Sequence, residues 1–255
     1  MTANTVSNGV LGTDYADGRK RKNELVFRYK TRACLVANLI AEYGRKTDGL
    51  NILDYGAAEG LTLLELDRLL PGNRYCGIEY SEELINRAPK LPDNIKLLRG
   101  DVTKLDDDVK RQKYDVVVAL ALLEHLKNPI DCLREAKFVM NAGGLLIATS
   151  PNPFWDAVST RFGLLKGGQH ETDMSRRVMI DIARKAGFEV AGFERFMWAP
   201  VSALPYLGLR ISPRMSLRID RTIARLHVLD FLFVNQVMVL THESSKCASY
   251  RRTGS

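Results

Sequence analysis

The sequence predicts an α/β protein built around a doubly wound parallel sheet, and three observations support this fold class. Short apolar segments alternate with stretches of helical periodicity through the middle of the chain. A glycine-containing turn separates the first apolar segment from its helix, and acidic residues stand at the ends of three successive segments. The carboxyl ends of parallel strands share one edge of a sheet, where open α/β sheets bind their ligands. We therefore expect a binding site at that edge.

Length and composition are those of one globular domain with appendages. The chain has 255 residues, of which 45% are hydrophobic. It opens without a segment of signal-peptide shape and has no apolar run of the roughly 20 residues that a membrane-spanning helix needs. Its four cysteines are scattered, without the spacing of a zinc site. The sequence therefore predicts reduced thiols, a cytoplasmic location and no bound metal.

The chain begins with a polar segment, residues 1–23, which contains a basic cluster from Arg19 to Lys22. This composition predicts a solvated, partly mobile arm. In an alternative arrangement, Tyr15 together with Tyr29 and Arg32 folds over the ligand site as a lid.

The main domain is expected to span residues 24–241 and to be followed by a tail at 242–255. Apolar positions at helical spacing predict that it opens with an amphipathic helix over residues 24–43. Prolines, glycines and aromatic residues loosen the pattern at 151–173 and again at 199–230. We expect these two insertions to form a helical cap over the site.

The first strand and its turn read Ile52-Leu-Asp54-Tyr-Gly56-Ala-Ala58-Glu-Gly60. Glycine suits such a turn because the backbone bends sharply and lets a ligand approach without a Cβ in the way. A dinucleotide site needs small residues at the first, third and sixth positions, and the sixth position counted from Gly56 is Leu61. This spacing disfavours an NAD-dependent oxidoreductase. The acid ahead of the first glycine suits a cationic ligand instead.

Four further strands are predicted along the middle of the chain. The second ends at Glu79, which lies 23 residues beyond Gly56, about where such folds place a carboxylate against ribose hydroxyls. The third leads to Asp101, which is either a ligand contact or a plain turn residue. The fourth is a β-branched run and is expected to be the most buried strand. The predicted strands span 74–79, 95–99, 114–120 and 145–149, with a helix over 130–140 and a tight stop at 141–144.

The second half of the chain is expected to complete the sheet. A helix over 174–186, closed by Gly187, precedes a sixth strand at 188–198. A seventh strand at 231–241 is expected to pair with the sixth as a hairpin across the insertion between them.

The last quarter of the chain carries most of the net charge of +7, because residues 195–255 contain nine Lys/Arg and three Asp/Glu. A helix is predicted over 215–229 within this region. Three uses remain open for it: a cap with a solvated arginine face, contact with an anionic membrane, or grip on a phosphate-bearing substrate. Its apolar side is expected at Met215, Ile219, Ile223 and Leu226, and its basic side at Arg218, Arg221 and Arg225.

The pattern Asp54-x-Gly56-x-x-x-Gly60 resembles motif I of the class I S-adenosylmethionine-dependent methyltransferases, although that family more often has glycine where Ala58 stands. Leu-Glu-His-Leu at 123–126 and Gly-Gly-Leu-Leu-Ile-Ala-Thr-Ser-Pro-Asn at 143–152 are similar to its small-molecule branch. Ubiquinone-pathway O-methyltransferases and many sugar and lipid methyltransferases belong to that branch. The resemblance implies a Rossmann-like seven-stranded sheet whose last strand is antiparallel.

The resemblance also implies that S-adenosylmethionine lies across the strand ends. In that family an acid at the position of Asp101 receives the adenine amino group, and the next residue packs on the ring. The cofactor-binding residues are expected to be Asp54, Tyr55, Gly56, Ala57, Ala58, Gly60, Glu79, Tyr80, Asp101, Val102, Ala119 and Leu120.

A hydroxyl acceptor requires a base to take its proton. His125 is the first candidate because it follows the fourth strand, and His170 on the insertion is the second. A purely structural role for His125 is equally compatible with the sequence. Glu124 is expected at a helix surface or paired with an arginine.

These features predict a methyltransferase that acts on a hydroxyl of a small-molecule, sugar or lipid-linked acceptor. Nucleic acid is disfavoured, because residues 119–124 read Ala-Leu-Ala-Leu-Leu-Glu where DNA amino-methylating relatives carry Asn/Asp-Pro-Pro-aromatic. Alternatives left open are a nitrogen or carboxylate acceptor, RNA, and a non-catalytic protein that binds S-adenosylmethionine. Peripheral contact with an anionic membrane through 199–230 is a further expectation.

Overall fold

A computed structural model of the chain describes residues 13–155, 174–226 and 230–242. Its strands are β1 (Asn51–Tyr55), β2 (Arg74–Glu79), β3 (Ile95–Arg99), β4 (Tyr114–Leu120), β5 (Met140–Pro151), β6 (Glu189–Trp198) and β7 (Phe233–Thr241). They form one seven-stranded sheet with the order β3-β2-β1-β4-β5-β7-β6. β1 to β5 run parallel to one another, and β7 is antiparallel to both β5 and β6. The predicted Rossmann-like sheet with an antiparallel last strand is confirmed.

Helices cover both faces of this sheet. They are α1 (Thr13–Arg21), α2 (Asn23–Tyr43), α3 (Leu61–Leu69), α4 (Glu82–Ile85), α5 (Asp107–Lys110), α6 (Pro129–Val139), α7 (Arg176–Lys185), α8 (Ala199–Ala203) and α9 (Pro213–Ala224). Short 3-10 turns lie at Leu123–His125, Leu204–Leu207 and Asp230–Leu232. Side chains from α2, α3 and α9 build the core on one face, and side chains from α5, α6 and α7 build the core on the other.

The predicted ranges of β2, β3 and β4 agree with the structure residue for residue, but β5 differs. The expected stop at 141–144 is part of the strand, whose pairing with β4 is irregular there. A Cβ on Gly144 would lie 3.0 Å from the carbonyl oxygen of Asp115 on the neighbouring chain segment. These glycines therefore permit a close backbone approach within an irregular strand instead of ending the helix with a turn.

Residues 13–21 differ from the expected solvated arm, because they form α1 and one face of this helix packs. Ala16 is fully buried, and Arg19 is only 6% exposed. These two residues lie three positions apart, which places them on the same side of a helix. Residues 1–12 and the side chain of Tyr15 lie outside the described part of the chain.

Several predicted segments fall outside the described residues. They include most of the insertion at 151–173, with His170, and the tail from residue 243 onwards. Within the described ranges, no helix combines the length and apolar character needed to cross a membrane. Cys34, Cys76 and Cys132 are buried free thiols.

Candidate functional site

The predicted acids stand at one edge of the sheet because β1 to β4 are parallel and in register. Asp54 of β1 is level with Gly77 of β2 and with Val118 of β4, and Glu79 of β2 is level with Arg99 of β3. The carboxyl ends of all four strands therefore open onto a common edge, as the sequence predicts.

The turn between β1 and α3 passes through three left-handed residues: Gly56 (φ 74°), Ala58 (φ 49°) and Gly60 (φ 79°). The amide groups of Gly56 and Ala57 donate to the carbonyl oxygen of Ile78 on β2, at 2.9 and 3.1 Å. Glycine adopts this conformation without steric penalty, whereas alanine does so at a cost. The turn therefore presents little side-chain bulk at the edge of the sheet, and Ala58 is its strained position.

The carboxylate of Glu79 ties the end of β2 to this turn. Its Oε2 accepts a hydrogen bond of 2.9 Å from the amide of Ala58, and its Oε1 accepts one of 2.9 Å from the amide of Ser81. The close approach of the turn to β2 also requires a glycine at position 77, because a Cβ there would lie 2.6 Å from the Cβ of Ala57. Gly77 was not predicted from the sequence as part of the site. The only signal for Gly77 in the sequence is a glycine inside a strand.

Asp54 is only 2% exposed and stands two residues ahead of the first glycine of the turn. Burial raises the pKa of its carboxyl to about 7, while the Arg19 guanidinium lowers this pKa and the neighbouring Glu79 carboxylate raises it. A cation placed nearby would favour the ionised carboxylate. The site thus holds an acid whose charge depends on what binds beside it.

A buried ion pair joins α1 to the turn, and sequence reasoning missed it. Nη1 of Arg19 lies 3.4 Å from Oε2 of Glu59, which is fully buried, and Nη2 donates to Oγ1 of Thr62 at 3.0 Å. The guanidinium carbon also lies 5.2 Å from the centroid of the Tyr29 ring. Arg19 Nε and Glu59 Oε1 have no hydrogen-bond partner within the described part of the chain. The basic cluster from Arg19 onwards suggested a solvated surface, and nothing local distinguishes Arg19 from its neighbours.

Further contacts of α1 place it across the mouth of the turn. Ala16 packs with Ala58 of the turn and with Leu84 of α4. Asp17 forms an ion pair of 2.7 Å with Arg87, just beyond α4. The helix therefore bridges the segment after β1 and the segment after β2.

The ends of β2 and β3 form a cleft of about 440 Å³ lined by Tyr80, Arg99, Gly100, Asp101, Lys104, Leu105 and Asp106. Oδ1 of Asp101 accepts hydrogen bonds from the amide and the hydroxyl of Thr103, at 2.8 and 2.7 Å. Tyr80 is 62% exposed beside it, so its ring is available to a ligand. Asp101 is therefore a turn residue, which is one of the two roles that the sequence left open, and it also lines the cleft.

Some predicted cofactor positions are packed inside the protein. Tyr55, Val102 and Ala119 belong to one core and Ala57 to the other, each no more than 7% exposed. Leu120, at the end of β4, is only partly buried. The buried positions leave mainly backbone atoms for a ligand.

The segment after β4 contains the predicted base. His125 closes the 3-10 turn Leu123–His125 and is half-buried, but Glu124 beside it is 1% exposed, so the expected surface position of Glu124 is wrong. This segment abuts the glycine turn, since a Cβ on Gly56 would lie 3.0 Å from Leu122. No group of three or more His, Cys, Asp or Glu side chains in residues 13–155, 174–226 and 230–242 is arranged to hold a metal ion.

Known proteins share this fold and parts of this sequence. The plantazolicin methyltransferase BpumL, solved with a triazolic desmethylPZN analog and SAH, has a TM-score of 0.61 and 16% identity, with 90% of this chain and 89% of that chain covered. Identity this low shows the fold alone. The ubiquinone biosynthesis O-methyltransferase of Bradyrhizobium diazoefficiens is 27% identical over 108 residues, 42% of each chain. The pavine N-methyltransferase of Thalictrum flavum subsp. glaucum is 32% identical over 96 residues, 36% of this chain and 26% of the relative.

The chain spans less than half the length of either of these curated relatives. A family model, by contrast, covers most of the sheet: the model described as a methyltransferase domain matches residues 27–197, more than half of the chain. The match includes the glycine turn and the strands from β1 to β6. The chain therefore belongs to the methyltransferase domain family, among the class I S-adenosylmethionine-dependent methyltransferases.

Proposed function

We propose that this protein transfers a methyl group from S-adenosylmethionine to a hydroxyl of a small-molecule, sugar or lipid-linked acceptor. One observation carries the proposal: two buried acids, Asp54 and Glu79, meet at a turn that is left-handed and nearly free of side-chain bulk. A nucleoside with a cationic amino-acid end matches this combination, because it needs both a close backbone approach and negative charge.

The residues present fit such a cofactor. Glu79 would accept hydrogen bonds from ribose hydroxyls, and Asp54 would face the cationic end. Asp101 and Tyr80 line the cleft at the ends of β2 and β3, which is large enough for a ring to lie against the tyrosine. The amide groups of the turn and the start of α3 would contact the amino-acid end.

The cofactor supplies an activated methyl group, so the chain mainly has to hold the acceptor in line with it and keep competing water away. An oxygen acceptor is a weak nucleophile until it loses its proton. His125 is the proposed base, because it ends the 3-10 turn that follows β4, on the side of the sheet where the acids lie. His170 remains a second proposal.

A nitrogen acceptor is the second candidate. The similarity to pavine N-methyltransferase, 32% over 96 residues, is as strong as the similarity to the ubiquinone O-methyltransferase. An amine that is already neutral needs no base, so the dependence on His125 separates the two chemistries.

Replacing His125 with alanine is expected to lower kcat by about 100-fold or more on a phenolic or catechol acceptor, because the acceptor hydroxyl would lose its base. The loss is measured as the rate at which labelled methyl passes from S-adenosylmethionine to two matched acceptors, one with a hydroxyl and one with a secondary amine. His242→Ala is the control, because His242 follows the end of β7, at the opposite edge of the sheet. An equal loss of kcat in His125→Ala and His242→Ala, or methyl transfer to the amine alone, would contradict the assignment of an oxygen acceptor.

The affinity for S-adenosylmethionine is expected to rise with pH between about pH 5 and pH 7. Asp54 has a pKa of about 7 in the ligand-free protein, and a bound cation lowers that pKa. Binding therefore releases a proton below pH 7, and the affinity gains at most about tenfold per pH unit before it levels off. The cofactor's own α-amino group stays protonated over this range.

Calorimetric titrations at about pH 5, 6 and 7 measure this dependence. Asp54→Asn should bind more weakly and show no rise with pH, because an amide does not ionise. The same rise in Asp54→Asn and the natural protein would show that another group is responsible.

A further inference from the structure

An exposed apolar tip follows α8. Tyr206, Leu207, Gly208, Leu209 and Arg210 are five consecutive exposed residues, and Leu207 is 73% exposed. Large apolar side chains rarely stand together on a protein surface unless they meet a partner.

The backbone of this tip is held in place. The 3-10 turn Leu204–Leu207 ends at Gly208, which has a left-handed φ of 76°. The amide of Gly208 donates to the carbonyl oxygen of Pro205 at 3.1 Å, and the amide of Leu209 donates to that of Leu204 at 3.0 Å. Pro205 itself is buried. The two leucines therefore project from a closed, anchored turn.

The helix that follows, α9, packs mainly through a face beside its predicted apolar stripe. Its buried residues are Ser216, Leu217 and Asp220. Met215, in the first turn of α9, is 50% exposed, and Leu226, just beyond its end, is 58% exposed. The helix packs against β6 and α2, and its predicted apolar side is only partly covered, because Ile219 and Ile223 are partly buried while Met215 and Leu226 are exposed.

Positive charge surrounds this surface. Arg210, Arg214, Arg218, Arg221 and Arg225 are all exposed. The only acid between residues 199 and 226 is Asp220, which is 2% exposed and accepts hydrogen bonds from the amides of Met197 and Trp198 at 2.8 and 2.9 Å. From α2, the guanidinium of Arg28 lies 5.9 Å from the centroid of the Tyr206 ring.

We infer that this surface docks on an anionic phospholipid bilayer, with Leu207 and Leu209 entering the headgroup boundary and the arginines pairing with lipid phosphates. Arg221 has an exposed acid beside it, because its guanidinium lies 3.8 Å from the carboxylate of Glu42 on α2, but no exposed acid lies within residues 199–226. Apolar side chains next to the other arginines match the two attractions that hold peripheral proteins on such membranes. Tyrosine is also well suited to the interface, because its ring is apolar and its hydroxyl is polar.

The tip lies on the same side of the sheet as the candidate site, although β4, β5 and β7 separate β6 from β1. β6 runs parallel to β5, so its end at Trp198 lies at the edge where the strand-end acids converge, and the tip follows within a few residues. Docking would hold this edge near the bilayer, where a lipid-linked acceptor resides. That consequence rests on the proposed function, whereas the docking itself does not.

Flotation of the full chain with two kinds of vesicle tests the docking: pure phosphatidylcholine, and phosphatidylcholine with about one third phosphatidylglycerol. We expect the protein to float with the anionic vesicles at low salt and to dissociate as salt is added. The fraction of L207D/L209D that floats with the anionic vesicles should be lower than that of the natural protein by about tenfold or more. R210E/R218E should also bind less and should lose the salt dependence.

Phe138→Asp is the matched control, because Phe138 is 58% exposed on α6, on the opposite face of the sheet. It should float like the natural protein. Docking is overturned if the natural protein does not float with anionic vesicles, or if L207D/L209D floats like Phe138→Asp. If the natural protein does not float, and light scattering shows a dimer for the natural protein but a monomer for L207D/L209D, the surface is assigned to a second copy of the chain instead.

The flotation samples contain no cofactor, so the result is independent of methyl transfer. Titration of the same variants with S-adenosylhomocysteine shows whether each is folded and retains its cofactor site. Loss of flotation with normal binding of the nucleoside supports the docking surface, and normal flotation without nucleoside binding contradicts only the proposed function.

Discussion

Replacing Arg19 with alanine is expected to lower the free energy of unfolding by about 3–5 kcal/mol. The substitution leaves Glu59, which is fully buried, without its charged partner, and it also removes the hydrogen bond to Thr62. An uncompensated buried carboxylate is far costlier than a missing surface ion pair. Urea unfolding followed by circular dichroism measures the change.

Arg21→Ala is the control, because Arg21 closes the same helix and is exposed. It should change the free energy of unfolding by no more than about 0.5 kcal/mol. The double variant R19M/E59M should recover much of the loss, because it removes both charges together. If Arg19→Ala is as stable as Arg21→Ala, then the pair does not hold α1 on the turn.

Replacing Glu79 with alanine is expected to weaken binding of S-adenosylhomocysteine by about 100-fold or more. The carboxylate holds the amides of Ala58 and Ser81, so its loss loosens the turn, and it is also the proposed acceptor for the ribose hydroxyls. Hydrogen bonds to a charged group are worth about 1.5–3 kcal/mol each, and about 3 kcal/mol corresponds to 100-fold in affinity. Isothermal titration calorimetry measures the dissociation constant.

Glu83→Ala provides the comparison, since Glu83 is an exposed acid in the first turn of α4. The affinity of Glu83→Ala for S-adenosylhomocysteine should equal that of the natural protein. Glu79→Gln should bind with intermediate affinity, because an amide oxygen accepts hydrogen bonds but carries no charge. Unchanged affinity in Glu79→Ala would remove this carboxylate from the cofactor site.

The sheet was predictable because its signals are local. The β-branched run of β4 and the short apolar segments of β2 and β3, which end at charged residues or turns, indicate the ranges of these strands without reference to the rest of the chain. The turn was also predictable, because Gly56 and Gly60 stand where the backbone is left-handed. The convergence of the acids then follows from the rule that parallel strands share their carboxyl edge.

Other parts of the site depend on contacts between distant segments, which local patterns do not reveal. Arg19 meets Glu59 forty residues away, yet in sequence it is one basic residue among four. Helical periodicity in α9 identifies an apolar stripe, but it does not tell which side packs. Asp220 is buried there because two backbone amides need its carboxylate, an arrangement that exists only after β6 and α9 have met.

The central claim is that the strand-end acids and the glycine turn bind an S-adenosyl nucleoside, and calorimetric titration of the natural protein tests it most directly. With S-adenosylhomocysteine we expect a saturable heat of binding at one site per chain, and with NADH we expect none. No heat with S-adenosylhomocysteine, or saturable binding of NADH in its place, would contradict the claim.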